Sequence, residues 1–300
     1  MNLANLLATA GRTAVGAALG LGLAWSVLAP QTAQAEPAMW VVKDKDSTIY
    51  LFGTVHLLKK DAAWNTPKVQ AAMAQSKELW LELIDAEDSA KLGPVIQQLG
   101  VDAKRPLSSK LTAAQNAKLA KVAGEYGIQP AQLEPLKPWL AAVTLSLLPL
   151  QKAGWDANAG VDKLLRAQAV KEGDALKAFE TAEQQMRFFA DLPEPLQISY
   201  LEQVLDDTAQ GTALMDRLAA AYLAGDPDTI GRIMTVEMKT EAPELYAALL
   251  TRRNVAWAAQ IQKMLAGKGT HFVAVGAGHL AGPDSVQVQL AQRGIKARRR

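Results

Sequence analysis

The chain has 300 residues, of which 49% are hydrophobic and 21% charged, a composition typical of globular proteins and not of disordered or fibrous ones. Its formal net charge of +2, from 32 basic and 30 acidic residues, is too small to indicate a nucleic-acid-binding surface. The absence of cysteine excludes disulfides, thiolate metal ligands and a cysteine nucleophile, and only three histidines are available for a metal site or a proton relay.

The first 35 residues have the pattern of a secretory signal peptide. Arg12 precedes an apolar run over residues 14–28, Pro30 ends the run, and Ala33-Gln34-Ala35 provides small residues at a cleavage site. A membrane anchor is the alternative, but the run is shorter than the roughly 20 residues that a span requires. We therefore expect cleavage after Ala35 and a periplasmic or secreted mature protein without a stable membrane span.

Local patterns predict strands at both ends of the mature chain and helices in its middle. Residue 82 falls inside the predicted third strand, and Thr112 and Thr181 begin capping-box patterns. Asp162 is expected to cap a helix that runs to about residue 172. The predicted strands are 40–42, 48–52, 79–84, 175–179, 271–275 and a short one from 295. The expected fold is a single α/β domain over 36–300, with a central mixed β-sheet, flanking helices and a large helical insertion around 86–172 and 181–266.

Two strand ends carry the same motif. Gly53 is followed three residues later by His56, and Gly276 is followed three residues later by His279. Glycine allows the chain to turn off a strand, and open α/β folds place their sites at the carboxyl ends of strands. Two unrelated loop histidines are the alternative. A dinucleotide fingerprint over 276–281 is rejected, because the chain ends soon after it and lacks the expected acidic residue.

Charged residues in apolar surroundings provide further candidates. Glu82 lies in a strand-like apolar run, where a carboxylate needs a strong partner, although an edge strand facing water would also explain it. Arg253 and Asn254 fall within the apolar stripe of a predicted helix, and Glu82, Asp85 and Glu180 are the candidate partners of the guanidinium. A solvated helix edge would also explain Arg253, and a helix-start acid would explain Glu180.

Together these residues resemble the TraB/PrgY/GumN family, which includes the animal TIKI proteins. The resemblance lies in the stretches Tyr50–His56, Leu81–Leu83, Gly160–Asp162, Glu180–Gln184, Arg253–Asn254 and Val275–Gly282. It implies a fold akin to erythromycin-esterase-like and ChaN-like proteins, and a divalent-metal site built from the paired histidines and the glutamate. TIKI members are described as metal-dependent proteases, and related bacterial members are linked to the inactivation of peptide pheromones.

The leading hypothesis is an exported, divalent-metal-dependent hydrolase, specifically a peptidase. His56 and His279 would bind one zinc, manganese, cobalt or iron ion, with Glu82 as third ligand or as general base. Arg253 would stabilise an oxyanion or orient a carboxylate, and Glu180 is a further catalytic candidate. The alternatives are a non-catalytic protein that binds a peptide or another ligand, and a hydrolase of a different ester or amide. No nucleic-acid partner is expected.

Overall fold

Six strands form one mixed β-sheet in the part of the chain that the computed structural model describes, namely residues 36–85, 88–207 and 211–300. The strand order is β4-β3-β5-β2-β1-β6, in which β4, β3, β5 and β2 run parallel to one another and β1 pairs antiparallel with both β2 and β6. The strands are β1 Met39–Lys43, β2 Ser47–Thr54, β3 Glu78–Leu81, β4 Ala175–Ala178, β5 Gly269–Gly276 and β6 Arg298–Arg299.

Helices make up most of the rest and confirm the α/β class. Among the described residues, five α-helices lie between β3 and β4 and seven between β4 and β5. Within the described ranges, none of them is both long and apolar enough to cross a bilayer. The helices are α1 Pro67–Gln75, α2 Ser89–Gly100, α3 Ala113–Glu125, α4 Pro130–Leu133, α5 Pro138–Lys152, α6 Val161–Glu172, α7 Ala182–Ala190, α8 Glu194–Asp207, α9 Gly211–Leu223, α10 Pro227–Gly231, α11 Glu237–Glu241, α12 Pro243–Tyr246, α13 Arg252–Leu265 and α14 Val286–Gln292.

Local sequence signals set several element ends. The capping boxes at Thr112 and Thr181 are both present, as predicted. Two predictions were wrong. Helix α6 begins after Gly160, so Asp162 lies in its first turn and is not its cap. Strand β3 ends at Leu81, so Glu82 lies just beyond the strand and not inside it, because the apolar run continues after the strand pairing stops.

The sheet is buried on both faces, as expected for central parallel strands. In β2, Tyr50 and Phe52 point to one core, and Ile49 and Leu51 point to the other. The first core is closed mainly by α1, α6 and α9, and the second by α13 and α14. A third apolar cluster joins α3, α5 and α8 away from the sheet.

The topology creates a crevice between the adjacent strands β3 and β5. The chain leaving β3 runs to β4 at one edge of the sheet, whereas the chain leaving β5 runs to β6 at the opposite edge. A reversal of this kind leaves an opening above the carboxyl ends of the two strands, where α/β proteins bind their ligands. The candidate site lies at this opening.

Candidate functional site

The four candidate residues predicted at strand ends all follow parallel strands at the same edge of the sheet. His56 follows β2, Glu82 follows β3, Glu180 follows β4, and His279 follows β5. Parallel strands bring their carboxyl ends to one edge, so side chains far apart in sequence meet there. Arg253 reaches the same edge from the first turn of α13.

Arg253 is the centre of a buried hydrogen-bond network. Its Nε donates to Glu180 at 2.9 Å, and its Nη2 donates to both Glu180 at 2.9 Å and Glu82. Its Nη1 donates to the carbonyl of Leu249 and to Nε2 of His279, each at 3.0 Å. Every N–H of the guanidinium therefore has an acceptor, and the predicted carboxylate partners Glu82 and Glu180 both bind it.

Neighbouring side chains fix the two carboxylates and the guanidinium. Trp257 donates its indole N–H to Glu180 at 2.9 Å and lies 4.6 Å from the guanidinium carbon, measured to the ring centroid. Gln185 donates to Glu180 at 3.1 Å and to Glu82 at 3.4 Å, so it connects the two acids. The third proposed partner, Asp85, instead pairs with Lys91 at 3.1 Å on the surface.

Glu82 is buried and ionised. The backbone N–H of Gly276 donates to its Oε1 at 2.7 Å. Burial acts to raise the pKa of this carboxyl, but His279, Arg253, His56 and the Gly276 N–H outweigh it and lower the pKa to about 2. His279 is itself neutral over most of the pH range, so Arg253 provides the lasting attraction. Glu82 is thus a weak base that has both oxygens engaged.

The hydrogen bonds around His279 define its tautomer. Asn254 donates its amide to the carbonyl of Asp284 at 2.8 Å, so its Oδ1 must accept the 2.6 Å bond from Nδ1 of His279. The proton of the imidazole therefore lies on Nδ1, and Nε2 accepts from Arg253. Burial and the adjacent guanidinium lower the pKa of His279 to about 3, so the ring is neutral at physiological pH.

The surroundings of His56 favour the protonated, charged form of its imidazole, in contrast to those of His279. Nδ1 of His56 lies 3.2 Å from Oδ2 of Asp162, and this hydrogen bond raises the pKa of the imidazole above its ordinary value. Solvent reaches 65% of the His56 side chain, so water screens the attraction. A Cβ at Gly160 would lie 2.5 Å from the carbonyl oxygen of His56, which explains why glycine is needed where α6 approaches this loop.

Asp162 was not predicted as a site residue. Its only sequence signal was the stretch Gly160-Val161-Asp162, for which capping was a sufficient local explanation. Asn254 was noted for its place in an apolar stripe and in the Arg253–Asn254 stretch of the family resemblance, without a role of its own. The third histidine, His271, lies near the start of β5, where its Nδ1 is 2.9 Å from Glu78, away from the other two.

A cavity of about 270 Å³ opens beside the two histidines. Its wall is mostly apolar, and Glu82, Arg253, His56 and His279 line one side. A larger groove of about 570 Å³ shares Thr54, His56 and Glu82 with the cavity and continues past Asp162 and Gln185. A ligand could therefore lie across His56 with one part in each space.

The chemistry of these residues suits the divalent cation that the resemblance implies, but their arrangement does not. Imidazoles and a carboxylate are suitable ligands, and each histidine has its Nδ1 held by an oxygen atom, as metal-binding histidines usually do. However, Nε2 of His279 and both oxygens of Glu82 already accept N–H groups. Among the described residues, no three His, Asp or Glu side chains are grouped to hold a metal ion. As arranged, they do not fit a three-ligand site, and the cation stays a prediction.

Comparisons with known proteins agree with the family resemblance. Over 254 residues the chain is 24% identical to the uncharacterized protein YbaP of Escherichia coli (strain K12), covering 85% of this chain and 92% of that protein. It is 20% identical over 265 residues to an uncharacterized protein of Treponema pallidum (strain Nichols), covering 84% and 79%. No solved structure matches. The sequence profile of the TraB/PrgY/gumN family matches residues 38–299, and the chain therefore belongs to this family.

Proposed function

We propose that the protein is a hydrolase that cleaves an amide or ester bond at the carboxyl edge of the sheet, with peptides as its substrates. The observation that supports this most is the His56–Asp162 pair at the mouth of a mostly apolar cavity. An imidazole oriented by a carboxylate is a common general base, and a concave apolar pocket with a few polar groups is the usual form of a substrate site.

The chemistry follows from the two nitrogens of His56. The step starts from His56 that has lost its proton. Asp162 holds Nδ1, which leaves Nε2 to take a proton from a water molecule as the water oxygen bonds to the substrate carbonyl carbon. The Asp162 carboxylate stabilises the imidazolium that forms. The C–N or C–O bond then breaks, and the proton passes from His56 to the leaving nitrogen or oxygen. This cycle restores neutral His56 and consumes one water.

The buried network acts on this reaction through position and charge. Arg253 has no N–H left for a substrate oxygen, so it fixes Glu82 and His279 and does not bind the substrate directly. Glu82 contributes to the raised pKa of His56 through its negative charge. Glu180 holds Arg253. We therefore assign these three charged residues as positioning residues.

The decisive test is hydrolysis by the untagged protein of a peptide library and of a panel of simple esters and amides. We expect turnover that His56→Gln reduces by at least about a hundredfold, the usual contribution of a general base. His271→Gln is the matched control, because His271 also pairs with a carboxylate, that of Glu78, but lies near the start of β5. Binding of a peptide without turnover would instead support the non-catalytic alternative.

A divalent cation is tested separately by metal analysis of the same untagged protein and by chelation. About one zinc, manganese, cobalt or iron per chain, with activity lost on chelation, would support a metal-dependent hydrolase in which Arg253 moves away from His279. Activity that persists in metal-free protein would support His56 as the base alone.

Export is a further part of the proposal. The predicted leader over residues 1–35 lies outside the described residues. Glu36, the first residue after the expected cleavage, accepts a hydrogen bond from Thr66 at 3.1 Å and pairs with Lys68 at 3.3 Å, so the folded part already includes it. N-terminal sequencing of periplasmic or secreted protein should begin at Glu36. Recovery of the intact chain in the membrane would favour an anchor.

A further inference from the structure

Gln185 has a hydrogen-bond acceptor that the buried network orients but does not use. The residue lies on α7, and its Nε2 donates to Glu180 at 3.1 Å and to Glu82 at 3.4 Å. These two bonds use both hydrogens of the amide nitrogen. The reverse orientation would place Oε1 against two carboxylates, so the charges of the acids fix which way the amide points.

The amide oxygen of Gln185 is accessible to a ligand. Among the described residues, none donates a hydrogen bond to Oε1, and this oxygen is not one of the buried polar atoms that lack a partner. Oε1 is therefore in contact with solvent. Gln185 lines the groove of about 570 Å³ that begins at His56, so a ligand in this groove contacts Gln185 and can reach Oε1.

The other side-chain acceptors in the groove wall are engaged or buried. Both oxygens of Glu82 accept N–H groups, and Oδ2 of Asp162 is bonded to His56. Oγ1 of Thr54 and Oδ1 of Asp162 are buried. In the described part of the groove, Oε1 of Gln185 is thus the side-chain acceptor offered to a substrate, and it needs a hydrogen-bond donor there.

Charge does not favour an ionic donor. While His56 is neutral, as a general base must be, the charges of Glu82 and Asp162 are balanced by those of Lys163 and Arg166 among the described residues that line the groove. Behind the wall, the buried guanidinium and its second carboxylate also cancel. An ammonium group therefore gains no net attraction from the groove, and an uncharged N–H is the donor that fits.

We propose that Gln185 is a specificity-determining residue whose Oε1 accepts a backbone N–H of the substrate, so that the substrates are peptides and not esters or acyl chains without an N–H. The donor belongs to the part of the peptide in the groove, away from the scissile bond at His56. Leu83, Val143 and Leu147 provide apolar contacts there for peptide side chains. This assignment of substrate class rests on the proposed hydrolase function.

The contact can be measured without turnover in the His56→Gln variant, with the capped peptide acetyl-Ala-Leu-Ala-Leu-amide as the probe. We expect the peptide to shift the side-chain amide signals of Gln185 saturably in ¹⁵N NMR spectra, with Gln185→Met identifying these signals. Analogues have one backbone N–H at a time replaced by oxygen. One of them should bind at least about tenfold more weakly than the others, because two acceptor oxygens then face each other.

Gln185→Met in the same background separates recognition from support of the network. Methionine has a similar length but offers no amide oxygen. A merely structural role would weaken all analogues alike, whereas we expect this variant to reduce the discrimination to within about twofold. Gln168→Met is the matched control, because Gln168 also donates to a glutamate, Glu172 at 3.0 Å, but does not line the groove. The analogue series itself does not depend on either variant.

Equal binding of all analogues, or discrimination that persists in Gln185→Met, would overturn the assignment. Binding that requires a free amino group in place of the acetyl cap would overturn it as well, because the donor would then be an ammonium. If the wild-type protein cleaves simple esters as rapidly as peptides, the hydrolase is supported and the role of Gln185 is contradicted. Discriminating binding without turnover of any substrate would support the role of Gln185 and contradict the proposed function.

Discussion

Glu180 holds the buried guanidinium more firmly than Glu82 does, so we expect Glu180→Gln to be the more destabilising substitution. Glu180 accepts from Nε and Nη2 of Arg253, from Trp257 and from Gln185. Glutamine would keep the shape but remove the charge and turn one acceptor into a donor that faces other donors. Breaking a buried ion pair by removing one partner costs about 3–5 kcal/mol. Because Glu82 still binds Nη2 of Arg253, we expect the free energy of unfolding to fall by an amount at the lower end of this range, about 3 kcal/mol.

Glu82→Gln leaves Arg253 paired with Glu180. We therefore expect this variant to lower the free energy of unfolding by about 1–3 kcal/mol, the contribution of one hydrogen bond to a charged group. Urea denaturation followed by circular dichroism measures the free energy of unfolding of both variants. Glu183→Gln is the control: Glu183 belongs to an exposed pair with Arg187 at 2.8 Å, and its loss should change stability by less than about 1 kcal/mol. A Glu180→Gln variant as stable as this control would refute a structural role for the network.

The remaining predictions concern the histidine loops. NMR titration should give His56 a pKa above its ordinary value, and Asp162→Asn should lower it; an unchanged value would contradict the pairing. Because the folded-state pKa of His56 is raised, the pair stabilises the protein fully below its unfolded-state pKa of about 6.5 and loses this effect as pH rises through the folded-state pKa. Asp162→Asn should therefore destabilise more at pH 6 than at pH 10. Hydrolysis should increase with pH as His56 loses its proton, and Asp162→Asn should move this rise to lower pH. His279 should not titrate between pH 5 and 8. Gly160→Ala should cost about 1–3 kcal/mol through its clash with the His56 carbonyl, whereas Gly124→Ala, with open space around it, should be neutral or stabilising.

Much of the fold could be predicted because its signals are local. Capping boxes at Thr112 and Thr181 and apolar runs in the strands depend on residues close in sequence. The strand order could not be predicted, because β5 enters between β2 and β3 through pairing of residues about two hundred positions apart. The end of β3 was also misplaced. Hydrophobicity continues to residue 84, whereas the pairing that defines a strand depends on partners elsewhere in the chain.

The site was predictable where a polar residue conflicted with its surroundings. Glu82 and Arg253 were recognised because a charge in an apolar pattern needs a partner, and the paired glycine–histidine motifs marked two strand ends. Asp162 was missed because a local explanation was sufficient for it.

The two histidines of the repeated glycine–histidine motif, His56 and His279, differ in the protonation state that their surroundings favour. Both follow a strand and a glycine, and both have Nδ1 bonded to an oxygen atom. For His56 that oxygen belongs to a carboxylate at an exposed rim, which favours the charged ring. For His279 it belongs to an amide in a buried position beside Arg253, which favours the neutral ring. Only His56 combines solvent access with an orienting negative charge. Environments that move two pKa values apart usually divide acid–base work from positioning work, and this division supports the proposal that His56 transfers the proton.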